Sequence, residues 1–372
     1  MKLHLAAVFA ALVLCGVAHA IPPSVMTPYQ AYLAAIEGED FAGAAGHADA
    51  AYQAGVAAQI DTDTLAALAE NRAQAYTFSG DLARAAPAWG DLADVMERAG
   101  TARDDRAWAL VMSAAAYLRG EDYANAERRA SAATALYQSG EGGEHHYAAQ
   151  ALLSTSHFTR QQLREAGRAA AAALSIRETL SIPANAELTR LAFSAGIARL
   201  LERDRVGTAY YIALAAESAE AAAADNNETQ FVSLWARYTR ERLSASEREE
   251  LFERVAASPL FASTWATRVE ADEQAQIAER NFDVDAVPVS RRPPRYPATM
   301  QEAGVEGIAV VRFDVDENGR PSNIEVPFSI PHPDFGRNAQ DAVRRWTYTP
   351  AMKDGRPVRR EGVQTQFEFA FQ

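Results

Sequence analysis

The polar and apolar positions of this chain follow two periods, and the change comes near residue 282. From about residue 27 up to that point, apolar residues recur at three- and four-residue steps. The background is rich in Ala, Leu, Glu and Arg, which is the pattern of amphipathic helices. Beyond it the step drops to two. Over residues 308–315, Val311, Phe313 and Val315 share one face, and Ile308, Val310, Arg312 and Asp314 share the other. Val363, Thr365, Phe367, Phe369 and Phe371 alternate cleanly to the end of the chain. Between these strands, Phe335, Ala339, Ala342, Val343 and Trp346 form one helical stripe. Pro297 heads a short helix over residues 298–303, which Gly304 stops. Asp316-Glu317-Asn318-Gly319 predicts a hairpin, because Asn-Gly takes positive φ at low cost, and its partner strand falls over residues 322–326. The C-terminal part should therefore be a three-stranded antiparallel sheet with helices on one face.

The helical part repeats. A turn carrying Gly or polar residues is followed by a large apolar residue and, three positions on, by alanine. The clearest copies are Gly38-Glu39-Asp40-Phe41 with Ala44, Gly80-Asp81-Leu82 with Ala85, and Gly120-Glu121-Asp122-Tyr123 with Ala126. Weaker copies centre on Leu163 with Ala166 and Val206 with Ala209. From Phe41 through Leu82, Tyr123 and Leu163 to Val206 the steps are 41, 41, 40 and 43 residues. A period near forty is that of a two-helix unit. In this reading the glycine closes the first helix in the left-handed conformation, and the aspartate caps the second. The alanine lets a neighbouring helix approach. The pattern resembles a tetratricopeptide-type array with lengthened helices. Leu251, Phe252, Val255, Phe261 and Trp265 lie on helices expected to seal its end. The fold class expected is α + (α/β), a helical repeat array followed by a small sheet-and-helix domain.

Composition adds an address and a charge. Residues 1–20 read as a cleaved secretory signal: Lys2, an apolar run from Leu5 to Val17, and Ala18-His19-Ala20 as the cleavage site. The sole cysteine, Cys15, lies within it, with Leu14 where a lipidation motif needs a small residue. The expected domains are a signal peptide (1–20), a helical repeat domain (21–281), a Pro-rich linker (282–295) carrying Pro288, Pro293 and Pro294, and a C-terminal domain (296–372). Localisation in the periplasm follows; the alternative is an inner-membrane anchor through an uncleaved N-terminus. The net charge is −13, whereas residues 285–372 carry twelve Arg and Lys against twelve Asp and Glu, so the acidic excess resides in the helical part. Such a chain should repel nucleic acid and anionic lipid. Arg291, Arg292 and Arg295, with Arg356, Arg359 and Arg360, form local basic clusters.

The C-terminal motifs carry a second resemblance. Tyr296-Pro297, Glu306-Gly307, Asp316 to Gly319, Trp346, Pro350-Ala351 and Gly355-Arg356-Pro357 stand in the order found in the C-terminal domain of the TonB family. The segment before the helix departs from that family's pattern, with Phe328 to Phe335 where the family often has a Ser-Ser-Gly and a Leu-Asp pair. The resemblance implies binding by strand addition, in which a partner's extended segment pairs with the last strand. It names Tyr296, Pro297, Val363, Thr365, Phe367 and Phe369 as candidate partner-binding residues, and an outer-membrane TonB-dependent transporter as the kind of protein partner. Membrane association would then come through partners only.

Catalytic chemistry has little support. There is no G-x-S-x-G, Walker-type loop or G-x-G-x-x-G. Glu144, His145 and His146, with His157 further on, form the one cluster of metal-ligand type, and adjacent histidines diverge by about 100° on a helix, so a polar surface is expected there rather than a metal site. No catalytic residue, metal or cofactor is assigned. The function expected is a non-enzymatic cell-envelope adaptor. Its rivals are an energy transducer for outer-membrane transport, and a cell-wall-binding or assembly factor.

Overall fold

A computed structural model of the chain describes residues 21–138, 142–180, 182, 185–222, 227–278 and 282–371. The expected signal segment and Cys15 lie outside the described residues. Among the described residues no helix is long and apolar enough to cross a membrane. The chain divides into two compact units. One ends at Arg160 and also takes Ser175–Leu180; the other is made of Gln161–Leu174 and Ser181–Gln372. Helices α9 to α13 therefore belong to the same unit as the C-terminal domain.

The first unit is built from α1 (Pro23–Glu37), α2 (Phe41–Ala57), α3 (Thr62–Phe78), α4 (Leu82–Ala99), α5 (Arg103–Arg119), α6 (Tyr123–Thr134) and α7 (Glu144–Thr159), each packed on the next. The final turns of α8 (Leu163–Leu180) complete it. The repeat is explicit in the caps. The side chains of Asp40, Asp81 and Asp122 each accept from the backbone N–H three residues on, at 2.9 Å from Gly43, 3.1 Å from Arg84 and 3.1 Å from Asn125. The alanines that follow, Ala44, Ala85 and Ala126, are fully buried. Larger residues fill between them: Trp89, packed edge-on to Trp108 with centroids 4.9 Å apart, bonds its indole N–H to Thr77.

The turn itself differs from the sequence expectation. Gly38 and Gly120 have ordinary negative φ, −81° and −85°. The left-handed residue is the next one, Glu39 at φ 58° and Glu121 at φ 60°, and only in the second copy is it glycine, Gly80 at φ 78°. Gln161 and Arg203 take the same conformation in the later copies. The reason is geometric. One residue closes the helix, a second reverses the chain in the left-handed region, and the third stands at the head of the next helix, so the reversal falls immediately before that position, which is Asp40, Asp81, Asp122 or Asp204 in four copies and Gln162 in the other.

In the second unit, α9 (Ala186–Leu201), α10 (Arg205–Ala221), α11 (Asn227–Glu241), α12 (Ala245–Ala257) and α13 (Trp265–Ala278) continue the helical pattern. Asp204 caps α10, and Ser244 with Glu247 forms a capping box on α12. The C-terminal domain follows as β1 (Val287–Ser290), α14 (Ala298–Glu302), β2 (Gly307–Val315), β3 (Pro321–Ile330), α15 (Pro333–Val343), β4 (Thr347–Thr349), β5 (Ala351–Lys353), β6 (Arg356–Val358) and β7 (Arg360–Phe369). Its main sheet has the order β3-β2-β7, antiparallel throughout. Two small pairs, β1 with β4 and β5 with β6, flank it. Part of the Pro-rich stretch is thus a strand of the domain, because Val287, Pro288 and Ser290 pair with β4.

The sheet is covered on both faces. Phe335, Ala339 and Val343 of α15 pack with Ala309, Val311, Phe313 and Val315 of β2 on one side. Ile308 and Val310 point the other way and are also fully buried. On that side Phe328 of β3 stacks on Phe231 at 4.8 Å and meets Phe193 at 5.2 Å and Trp235 at 5.7 Å, so α9 and α11 supply the cover. Two glycines make close approaches possible. A Cβ on Gly307 would fall 2.3 Å from the Phe335 ring, and one on Gly319, at φ 74°, would fall 1.9 Å from the Tyr348 carbonyl oxygen. The Glu306-Gly307 and Asn318-Gly319 pairs of the sequence are explained by these contacts.

Candidate partner-binding edge

Strand β7 is one of the two edges of the main sheet, β3 being the other. Its pairing with β2 sets Val363 against Phe313, Thr365 against Val311, Phe367 against Ala309 and Phe369 against Gly307. These four lie on the face toward α15. Thr365 and Phe369 are buried, and Phe367 and Val363 pack against the same core. The intervening residues Gln364, Gln366 and Glu368 lie on the opposite face, against Arg312, Val310 and Ile308.

One hydrogen bond fixes which backbone groups face the open edge. The Gln366 N–H donates to the Tyr238 hydroxyl of α11 at 3.3 Å, so it points away from β2. In an antiparallel ladder such groups alternate, which turns the N–H and C=O of Gln364 and Glu368 outward as well and those of Thr365 and Phe367 inward. Four of the residues named from sequence, Val363, Thr365, Phe367 and Phe369, therefore serve the domain's own core and ladder. The groups turned to the edge belong to their neighbours, and period-two reasoning could have found them by asking which parity faces β2.

Tyr296 and Pro297 support the far end of the strand. Tyr296 is half-buried between Phe335, Phe369 and Phe371, with centroids 5.8, 5.6 and 5.2 Å away. Its hydroxyl donates to the carbonyl oxygens of Val305 at 2.8 Å and Phe369 at 3.2 Å. Burial, and secondarily the Glu306 carboxylate, push its phenol up to about 12, so it remains a donor throughout the physiological range. Pro297 is buried and begins α14. Glu306 receives two bonds from Arg164 of α8, at 2.7 and 3.1 Å, and one from the Phe371 N–H at 3.1 Å. The Arg164 guanidinium is held more firmly protonated by that hydrogen-bonded carboxylate. The chain on either side of the sheet's end is thereby fixed.

Several sequence candidates have structural tasks. Arg291 bonds the Tyr348 hydroxyl at 3.1 Å and lies over the Trp346 ring, and the Trp346 indole N–H donates to the Arg292 carbonyl at 2.9 Å. Arg360 pairs with Asp285 at 2.8 Å. In the first unit, His146 stacks on Tyr137 and His157 lies 3.8 Å from Glu127. Among the described residues no three of His, Cys, Asp and Glu come together to hold a metal ion.

Comparison with known proteins bears on this domain. Residues 292–371 match the family model described as the Gram-negative bacterial TonB protein C-terminal. The C-terminal domain is of the TonB type. Protein TonB of Pseudomonas aeruginosa is 33% identical over 85 residues, 23% of this chain and 25% of that protein. Protein TonB of Escherichia coli K12 is 40% identical over 62 residues, 17% of this chain and 26% of that protein. The chain thus spans about a quarter of the length of these relatives. The solution structure of the Pseudomonas aeruginosa TonB C-terminal domain is 32% identical, with 24% of this chain and 90% of that one covered and a TM-score of 0.22. The expected family and fold class hold: a helical N-terminal region precedes a TonB-type domain.

Proposed function

We propose that this chain is a non-enzymatic adaptor of the bacterial cell envelope whose TonB-type domain takes an extended segment of a partner protein onto the edge of β7. The observation that carries the reading is the sheet order β3-β2-β7, which leaves the last strand with an unpaired side, together with the outward backbone of Gln364. The match of residues 292–371 to the TonB family supports a protein partner, with an outer-membrane transporter as the kind expected. The helical repeat supplies a second surface for polypeptides.

Proline at position 364 tests the edge. The Gln364 N–H takes no part in the β2 ladder, so Gln364→Pro removes an edge donor while leaving the sheet's own bonds in place. With a photo-crosslinker at Glu361, capture of an outer-membrane protein from envelope fractions is expected in the parent and lost in the proline variant, at unchanged melting temperature. Equal capture by a folded Gln364→Pro protein would refute strand addition at β7.

A further inference from the structure

The surroundings of the β7 edge specify the side chains of a partner as well as its backbone, and the inference drawn from them rests on the strand-addition reading. A groove of about 830 Å³ runs between α11 and the first half of β7, with Leu234, Arg237, Tyr238 and Arg242 on one wall and Gly362, Val363 and Gln364 on the other. Five arginines line it. Two are committed: Arg360 pairs with Asp285 at 2.8 Å, and Arg237 lies 4.0 Å from Glu241. Arg312 and Arg359 make no ion pair among the described residues, whereas Arg242 rests over the Tyr238 ring at 5.3 Å and is shared with the Glu368 carboxylate, on which its charge also acts. Glu317 and Glu361 are the groove's uncommitted carboxylates, one in the hairpin turn and one at the start of β7.

Position matters more than the count. Arg312 pairs in register with Gln364, so its guanidinium stands on the same face as the residue whose backbone faces the edge. A strand added beside β7 would place the side chain opposite Gln364 on that face too, toward Arg312 and α11. At the other end of the groove Tyr238 occupies the Gln366 N–H and Trp235 donates to the Gln366 side-chain oxygen at 3.0 Å, which closes the edge to a longer strand. We propose that this groove, walled by helix α11 as well as by the sheet, selects a short extended peptide bearing carboxylates at alternate positions, which Arg242, Arg312 and Arg359 receive. The lining sets five arginines against Glu241, Glu317 and Glu361, a cationic balance within a chain of net charge −13.

Fluorescence anisotropy on the signal-less chain decides it, with three labelled ten-residue peptides that alternate Val with Glu, Gln or Lys. The Glu peptide is expected to bind at least tenfold more tightly than the Gln peptide at low salt, with the advantage shrinking as salt rises. Arg312→Gln with Arg359→Gln should erase that advantage without altering the melting temperature. Equal binding of Glu and Gln peptides, both lost in Gln364→Pro, would overturn the selectivity and leave strand addition standing. A Glu preference untouched by Gln364→Pro would keep the acidic site and refute strand addition. Failure of all three peptides to bind, or preference for the Lys peptide, would overturn the groove as proposed.

Discussion

The left-handed residues of the repeat turns offer a quantitative check on how this array is built. Glu39 and Glu121 hold φ of 58° and 60°, where the equivalent Gly80 holds 78°. An L-residue in that region is strained by about 1–2 kcal/mol, whereas glycine is not, although glycine loses about 0.5–1 kcal/mol more chain entropy on folding. Each of Glu39→Gly and Glu121→Gly should therefore stabilise the first unit by about 0.5–1 kcal/mol. Both side chains are exposed, and neither makes an ion pair among the described residues, so no contact is lost. The sites lie in separate turns and should add, which gives about 1–2 kcal/mol for the double variant and a rise in Tm of about 2–8 °C for a unit of this size. Removing two acidic groups from an acidic chain could itself stabilise, and Glu39→Ala with Glu121→Ala isolates that contribution, since alanine relieves charge but not the left-handed strain. Calorimetry of the three proteins should rank glycine above both glutamate and alanine. The converse variant, Gly80→Glu, should lose about as much as one glycine gains. If alanine matches glycine, or if Gly80→Glu is neutral, the strain argument is wrong.

Three further outcomes follow from the second unit. Gly319→Ala would place a methyl 1.9 Å from the Tyr348 carbonyl oxygen at a φ of 74°, so it should cost about 3 kcal/mol or more and lower the urea midpoint of the second unit. Tyr238→Ala uncovers the Gln366 N–H, and since a typical hydrogen bond contributes about 0.5–1.5 kcal/mol net, a β7-binding peptide should gain about two- to tenfold in affinity by anisotropy; weaker binding would show that Tyr238 contacts the peptide instead of competing with it. The Tyr296 phenol is raised from 10.0 to about 12 by burial, so the unfolded chain gives up this proton first as pH rises; the contribution is whole below about pH 10 and is lost between 10 and 12, and Tyr296→Phe should flatten that limb in urea titrations at pH 9, 10 and 11 while destabilising at neutral pH through its two lost bonds.

The sequence disclosed elements whose signals are local. The Asp caps, the Asn318-Gly319 turn and the alternation of β2 and β7 each lie within a few residues, and the structure has them where the pattern puts them. What escaped was long-range or too short for a period. Strands β5 and β6 have three residues each, too few to alternate, although Asp354 and Gly355, at φ 49° and 73°, are a hairpin signal present in the chain. Strand β3 runs on to Ile330, past the expected end at residue 326, because irregularities in its register with β2 interrupt the alternation. The pairing of β1 with β4 joins residues some sixty positions apart and leaves no local trace. The open backbone groups of β7 leave no local trace for a related reason: the sequence shows which side chains are apolar, but only the ladder shows which N–H and C=O groups face away from β2.

The second covered face of the sheet leaves a mark in the sequence of β2. A sheet covered by helices on one side alone should carry polar residues on the other, yet Ile308 and Val310, on the face of β2 away from α15, are apolar too. Their complete burial beneath Phe328, with Phe193, Phe231 and Trp235 beyond it, makes α9 and α11 part of the sheet's packing. The same helix that completes this core brings Tyr238 and Trp235 to Gln366 and Arg237 and Arg242 to the groove. A change that loosens α11 from the sheet must therefore alter the open edge of β7, because one helix holds both. Trp235→Ala would remove the ring from the aromatic cluster and the bond to Gln366 together, so stability and the accessibility of the edge should move as one, with Tyr238→Ala as the variant that separates them.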